Sequence, residues 1–205
     1  MSWHLSDAKL ATREEVEKIL ASAKKTNPFD YSFFTTAANT GLRLSEILHL
    51  KAKDVTRGGL SVIRRKRREL TREVLPIADA LMELLANHIR RLKPKDWLWW
   101  GDAKACIRVL HWGKRSETQK LCDGGHIHKR EIQRRWRILA TAAKVYRPGF
   151  GVHSLRHYAA TEFYRQTKDL RATQILLGHS SSTTTETYAH AVELEAQVKK
   201  IKPVL

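Results

Sequence analysis

The sequence predicts a mainly α-helical domain that carries one small antiparallel β-hairpin. Three observations predict it. Apolar residues recur at helical spacing over most of the chain, as in Val16, Ile19, Leu20 and Ala23. The period switches once, after Gly58-Gly59, to short apolar runs at 60–63 and 74–77 that flank a basic stretch at 64–72. Capping residues and glycine stops punctuate the rest.

Each element follows from local chemistry. Thr12 with Glu15 forms a capping-box pattern and opens the first helix. A second helix is expected over 31–39, with Phe33, Phe34, Ala37 and Ala38 buried and Gly41 as its stop. A short helix is expected over 45–50. The runs at 60–63 and 74–77 read as two strands, and 64–72 as a long cationic tip between them. Asp79 reads as the cap of a helix whose stripe is Met82, Leu85, Ile89 and Leu92, ending at Pro94. A helix over 129–144 turns Ile132, Trp136, Leu139 and Ala143 to the core and keeps Arg130, Arg134, Arg135 and Arg137 outside. Ser154 reads as the cap of a helix to Tyr164. Asp169 caps 170–177, which stops at Gly178, and a last helix is expected over 184–200. No internal repeat or low-complexity linker interrupts the 205 residues, so one domain is the simplest account.

Composition narrows the function classes. Hydrophobic residues make up 42% and charged residues 29%, as in a globular protein rather than a disordered one. No apolar run approaches the roughly 20 residues that span a bilayer, and Met1-Ser2-Trp3-His4-Leu5 shows no basic-then-apolar leader pattern. The expected place of action is cytoplasmic, at the nucleoid if the source is prokaryotic, with no membrane partner. Cys106 and Cys122 are too few for a disulfide scaffold and read as free thiols. The segment 101–128 also holds His111, His126 and His128. Its Cys-x3-His-x-His spacing matches no common zinc module, so it reads as a polar loop and no metal or other cofactor is expected. The strongest global signal is charge. Lys and Arg total 38 against 21 acids, a net charge of +17, which favours binding to a nucleic-acid backbone through counterion release. Charge alone separates neither DNA from RNA nor binding from catalysis.

Three stretches carry possible chemistry. In Thr40-Gly41-Leu42-Arg43-Leu44-Ser45-Glu46, an arginine after a glycine stop heads a short helix, where its fork suits a phosphate and Glu46 lies within one turn to steady it. In His153-Ser154-Leu155-Arg156-His157, a histidine and an arginine three apart share one face at a helix start, a place that suits an anion. In Leu176-Leu177-Gly178-His179, a histidine follows a helix stop, and Tyr188 comes nine residues later. Alone, the first is usually a surface ion pair, the second reads equally well as a capped helix with a basic first turn, and a lone tyrosine is most often a core or surface aromatic.

Together with a basic hairpin, in this order, the stretches resemble the tyrosine recombinase (phage integrase) family. The resemblance runs from about residue 12 to residue 188. It implies the catalytic-domain fold of these DNA breaking-rejoining enzymes. It also implies a site-specific DNA recombinase or integrase that works without metal or ATP. Tyr188 would be the nucleophile that forms a 3′-phosphotyrosyl link. Arg43, Arg156 and His179 would hold the scissile phosphate, and His153 would handle the proton. A hairpin lysine usually protonates the leaving oxygen, and Lys66 takes that role here. The chain departs from the family there: Arg64-Arg65-Lys66-Arg67-Arg68-Glu69 lacks the usual glycine. Arg64, Arg65, Arg67, Arg68, Arg134 and Arg135 are expected DNA contacts.

The implied partners are double-stranded DNA and three further copies of the chain, a tetramer on two duplexes that is monomeric in free solution. The apolar stripe Ala191, Leu194, Val198, Ile201 and Leu205 would dock on a neighbouring protomer or pack on its own core. A single catalytic domain over 1–205 is expected, without the N-terminal core-binding domain that full-length members carry; an excised domain and a natural short member both fit. Two alternatives remain open at this point: an idle DNA-binding regulator with the same fold, and a type IB topoisomerase-like relaxing enzyme.

Overall fold

The structure is a computed structural model that describes residues 10–66, 69–90, 92–100 and 125–178. It is mostly helical with one three-stranded antiparallel sheet, as the sequence predicts. Helix α1 (Arg13–Thr26) opens on the expected capping box: Thr12 Oγ1 accepts from the Glu15 amide at 3.2 Å, and Glu15 Oε2 accepts from the Thr12 amide at 2.9 Å. Helix α2 spans Pro28–Thr40, three residues earlier than the apolar pattern suggests. Asn27 caps it by accepting from the Phe29 amide, and Pro28 at the first position needs no donor. It stops at Gly41, whose φ of 61° is left-handed.

Helix α3 is a single turn, Leu44–Leu48. A 3-10 turn at Ala52–Asp54 leads into β1 (Val55–Thr56), β2 (Gly59–Lys66) and β3 (Glu69–Leu75), in the order β1-β2-β3. The expected long cationic tip is replaced by paired strand. Register runs unbroken from Leu60↔Leu75 to Lys66↔Glu69, so only positions 67 and 68 lie between the strands. The reason is alternation: Leu60, Val62 and Arg64 are buried while Ile63 is exposed, so the period of two continues through the charged residues. Gly59, at φ 130°, sits where a Cβ would meet the Leu75 carbonyl oxygen at 2.1 Å.

Helix α4 (Asp79–Ile89) includes Asp79 rather than being capped by it, ends before the expected Pro94, and buries Leu81 and Leu85 rather than Met82. Helix α5 (Lys129–Ala142) faces the core with Ile132, Trp136, Leu139 and Ala140, while Ala143 forms its C-cap. Helix α6 (His153–Thr167) takes in Ser154 as a buried first-turn residue, because the turn at Gly151 starts the helix two residues sooner. Helix α7 (Leu170–Leu177) is capped by Asp169, which accepts from the Ala172 amide at 2.8 Å, and it stops at left-handed Gly178.

One core joins these elements. Phe33, Phe34, Leu60, Leu85, Trp99, Ile132 and Trp136 are buried in it. Trp99 stands edge-on to Phe33 and Phe29, and Trp136 Nε1 donates to the Phe150 carbonyl at 3.0 Å. Helix α2 packs against α1, α4 and α6, which brings the Gly41 stop beneath the end of α7. A Cβ on Gly41 would lie 2.9 Å from Leu177 Cδ2 and 3.3 Å from Ala159 Cβ, so glycine is needed for that approach as well as for the turn. Residues 101–124 and the expected helix at 184–200 lie outside the described residues. The described flanks of 101–124 are pinned together: Trp100 bridges His126, and the Ile127 amide donates to the Trp99 carbonyl at 2.7 Å. No helix among the described residues is long and apolar enough to cross a membrane.

Candidate active site

Arg43 occupies the N-cap of α3 in extended backbone. Glu46 accepts from its amide at 2.7 Å with one carboxylate oxygen and from its guanidinium at 2.8 Å with the other. The Arg43 side chain is 42% exposed and that of Glu46 only 7%. The carboxylate therefore fixes the arginine from below while its outer edge faces solvent. The spacing of three residues brings the two side chains into this contact.

Arg156, on α6, is only 4% exposed. Its guanidinium donates to the Gly41 carbonyl at 2.5 Å and to the Leu177 carbonyl at 2.8 Å. It thus ties the end of α2, two residues before Arg43, to the end of α7. His153 stands one turn earlier on α6 and is exposed, its ring edge-on to His157 at 4.7 Å. The structure brings Arg43 and Arg156 to the same corner, beside the turn at Gly178 after which the chain continues to His179. His179 and Tyr188 lie outside the described residues, as do Arg67 and Arg68. Arg65 and Lys66 are placed only as the last two residues of β2.

Two expected DNA contacts are corrected. Arg64 is 2% exposed and points inward; it donates to the carbonyls of Ile175 at 2.9 Å and Leu176 at 2.6 Å. Burial lowers its pKa from the usual arginine value, with Glu46 and Glu73 acting against that shift and Arg43 adding to it. The same field shows that Arg64, Arg43 and Glu46 share one electrostatic neighbourhood. Arg135 donates to Asp30 at 2.8 Å and Glu131 at 2.9 Å and lies over the Phe29 ring, so its charge joins α5 to α2. Burial pushes the Glu131 carboxyl up, but hydrogen bonds from Arg134 and Arg135 outweigh it and hold Glu131 below its ordinary value. Arg134 forks onto Glu131 with both bonds at 2.7 Å, yet its side chain is mostly exposed. It remains on the surface.

Sequence reasoning missed the inward arginines because their partners are distant: Ile175 is 111 residues from Arg64, and Asp30 is 105 from Arg135. One signal was present. Arg64 continues the Leu60, Val62 parity of the inner strand face. A cavity of about 250 Å³ beside α3 was also missed; Leu44, Leu48, His49, His126 and His128 line it. Burial, then nearby Arg130 and Lys129, lower the His128 pKa. Among the described residues no three His, Cys, Asp or Glu side chains come together to hold a metal, and Cys122 lies outside them.

Arg43, Arg64 and Arg156 thus gather in a helical domain at the junction of a hairpin and three helix ends. The model described as the phage integrase family matches residues 9–195, and the chain belongs to that family. Tyrosine recombinase XerC of Caldanaerobacter subterraneus subsp. tengcongensis is 28% identical over 195 residues, covering 91% of this chain and 50% of the relative. Tyrosine recombinase XerD of Staphylococcus aureus is 28% identical over 209 residues, covering 95% of this chain and 62% of the relative. The chain thus spans half to three-fifths of the length of these curated relatives. Among solved structures, XerH recombinase bound to its palindromic difH substrate superposes with a TM-score of 0.68 at 23% identity, over 94% of this chain and 52% of that one. The lambda integrase catalytic core superposes with a TM-score of 0.58 at 20% identity, over 83% of this chain and 91% of that one. These likenesses establish the shared catalytic-domain fold.

Proposed function

We propose that the chain is the strand-cutting part of a site-specific DNA recombinase that works through a 3′-phosphotyrosyl intermediate. The observation that carries this reading is the tie that Arg156 makes between Gly41, two residues before Arg43, and Leu177, eleven residues before Tyr188. The relatives support it. They are named tyrosine recombinases, and one neighbour is a lambda integrase tetramer on a Holliday junction.

The Tyr188 hydroxyl attacks a DNA phosphorus. A bond forms from Tyr188 Oη to phosphorus, and the bond from phosphorus to the 5′-oxygen breaks. Tyrosine titrates near pH 10, so its proton must be taken up locally, and exposed His153 is the acceptor. The leaving 5′-oxygen takes a proton from Lys66. Negative charge gathering on the non-bridging oxygens is held by Arg43 and Arg156, with His179 as a further donor. Attack by a 5′-hydroxyl of a second strand reverses these steps. The phosphotyrosyl bond conserves the energy of the broken one, so ATP is not consumed. Exposed Arg134, with Arg65, Arg67 and Arg68 of the hairpin, meets the DNA backbone. Four copies act together on two duplexes, joined through the 189–205 segment, and a single copy is monomeric in free solution. The site of action is cytoplasmic, at the nucleoid if the source is prokaryotic.

The test uses a randomised pool of nicked duplexes in which cleavage releases a short fragment and traps the protein. The expected result is a covalent adduct on a denaturing gel that disappears in Tyr188→Phe. No adduct from the pool, or one that persists in Tyr188→Phe, contradicts the reading.

A further inference from the structure

The buried guanidinium of Arg64 has no part in the chemistry above, yet it sits at the centre of the site. It reaches across the fold to the last turn of α7, where NH1 meets Ile175 O at 2.9 Å and NH2 meets Leu176 O at 2.6 Å. Arg156 takes the next carbonyl, Leu177 O, at 2.8 Å. Two arginines from a strand and a helix thus hold three successive carbonyls at a helix C-terminus. Ile175 O also accepts from the Gly178 amide at 3.0 Å, and all three carbonyls lie at the negative pole of the helix, where partners run short. Gly178 completes the contact. A Cβ there would stand 2.6 Å from Arg64 NH1 and 3.0 Å from Arg64 Cδ. The left-handed turn and the absent side chain let the guanidinium lie flat against the point where the chain leaves α7.

Capping alone does not need this device. Water or the ordinary glycine motif satisfies terminal carbonyls, whereas burying a guanidinium carries a desolvation penalty. What the arginine adds is a fixed link between two elements. Arg64 is two residues before Lys66 on β2, and Gly178 is one residue before His179.

We propose that Arg64 is a positioning residue: it locks the hairpin strand that runs to Lys66 onto the Gly178 turn that leads into His179, and strand cleavage depends on that link. The proposal rests on the recombinase reading. A misplacement of about 1 Å at a reacting centre can cost about a hundredfold in rate, so the link acts on chemistry more than on DNA affinity. A lysine in place of Arg64 would bring one charge to one carbonyl and lack the fork that spans two.

The experiment measures single-turnover cleavage of a nicked duplex recovered from the randomised pool, with DNA affinity measured on the same duplex. Arg64→Met is expected to slow cleavage at least tenfold while the Kd stays within about threefold; Arg64→Lys is expected to recover part of the loss. In a His179→Asn background, Arg64→Met is expected to slow cleavage less than threefold, because its effect runs through the residue already removed. Wild-type rates in Arg64→Met, or equal losses in both backgrounds, overturn the proposal. If Arg64→Met shows no cooperative thermal transition, the same pair of backgrounds is compared with Arg64→Lys, and equal losses again overturn it. Failure of the wild-type chain to form any adduct would instead sink the recombinase reading.

Discussion

Replacing Gly178 by alanine probes the corner where the candidate site is assembled. The residue sits at φ +63°, and a left-handed residue other than glycine costs about 1–2 kcal/mol. The new Cβ would also fall 2.6 Å from Arg64 NH1 and 3.1 Å from Cζ, so the guanidinium must move. Moving it breaks at least one charged hydrogen bond to Ile175 or Leu176, worth about 1.5–3 kcal/mol. The two effects together predict a loss of about 2.5–5 kcal/mol, within the usual stability of a domain but a large share of it. In an Arg64→Met background the second cost is already spent, and Gly178→Ala should lose only the backbone part, about 1–2 kcal/mol. Urea unfolding of the four proteins gives the coupling directly. Equal losses from Gly178→Ala in the two backgrounds, within about 0.5 kcal/mol, would refute the placement of Arg64 against Gly178.

Other perturbations separate structure from chemistry. Arg135→Gln strands the Asp30 carboxylate, while Glu131 keeps Arg134, and should cost about 2–4 kcal/mol by urea unfolding, with DNA affinity little changed; a large loss of affinity at unchanged stability would restore Arg135 as a DNA contact. Glu46→Gln keeps an acceptor for the Arg43 amide but weakens the charged bond to its guanidinium, and single-turnover cleavage should fall about tenfold; an unchanged rate would show that Arg43 needs no such support. Burial holds the His88 ring below the ordinary imidazole value, partly offset by its bond to the Leu98 carbonyl. The unfolded chain therefore binds this proton more readily, and stability should decline as pH falls below about 6.5. His128 shifts in the same direction, so His88→Gln should make the decline between pH 7 and pH 5.5 shallower without abolishing it; an identical slope would refute the assignment.

The sequence carried the helical class and most helix ends, because caps and glycine stops are local chemistry. Thr12 with Glu15, Asp169 and Gly178 all act as their residue types require. Asn27-Pro28 is just as legible, but Asp30 interrupts the apolar pattern in the first turn of α2 and moves the apparent start to Tyr31. The hairpin misled for a physical reason. A run of arginines reads as a solvated tip, whereas the strand period persists when a buried arginine finds carbonyl partners across the fold. The pairing of Arg43 with Glu46 follows from a spacing of three residues. The meeting of Arg156 with Gly41 and Leu177 does not, since it spans 115 and 21 residues and depends on how α2, α6 and α7 pack.

Mapping the covalent bond tests the central claim most directly. After nuclease trimming of a trapped adduct, trypsin should release residues 172–199, a peptide whose only tyrosine is Tyr188. Fragmentation mass spectrometry is expected to find a 3′-linked nucleotide on Tyr188. A nucleotide on any other residue, or linked through its 5′-phosphate, would contradict the account.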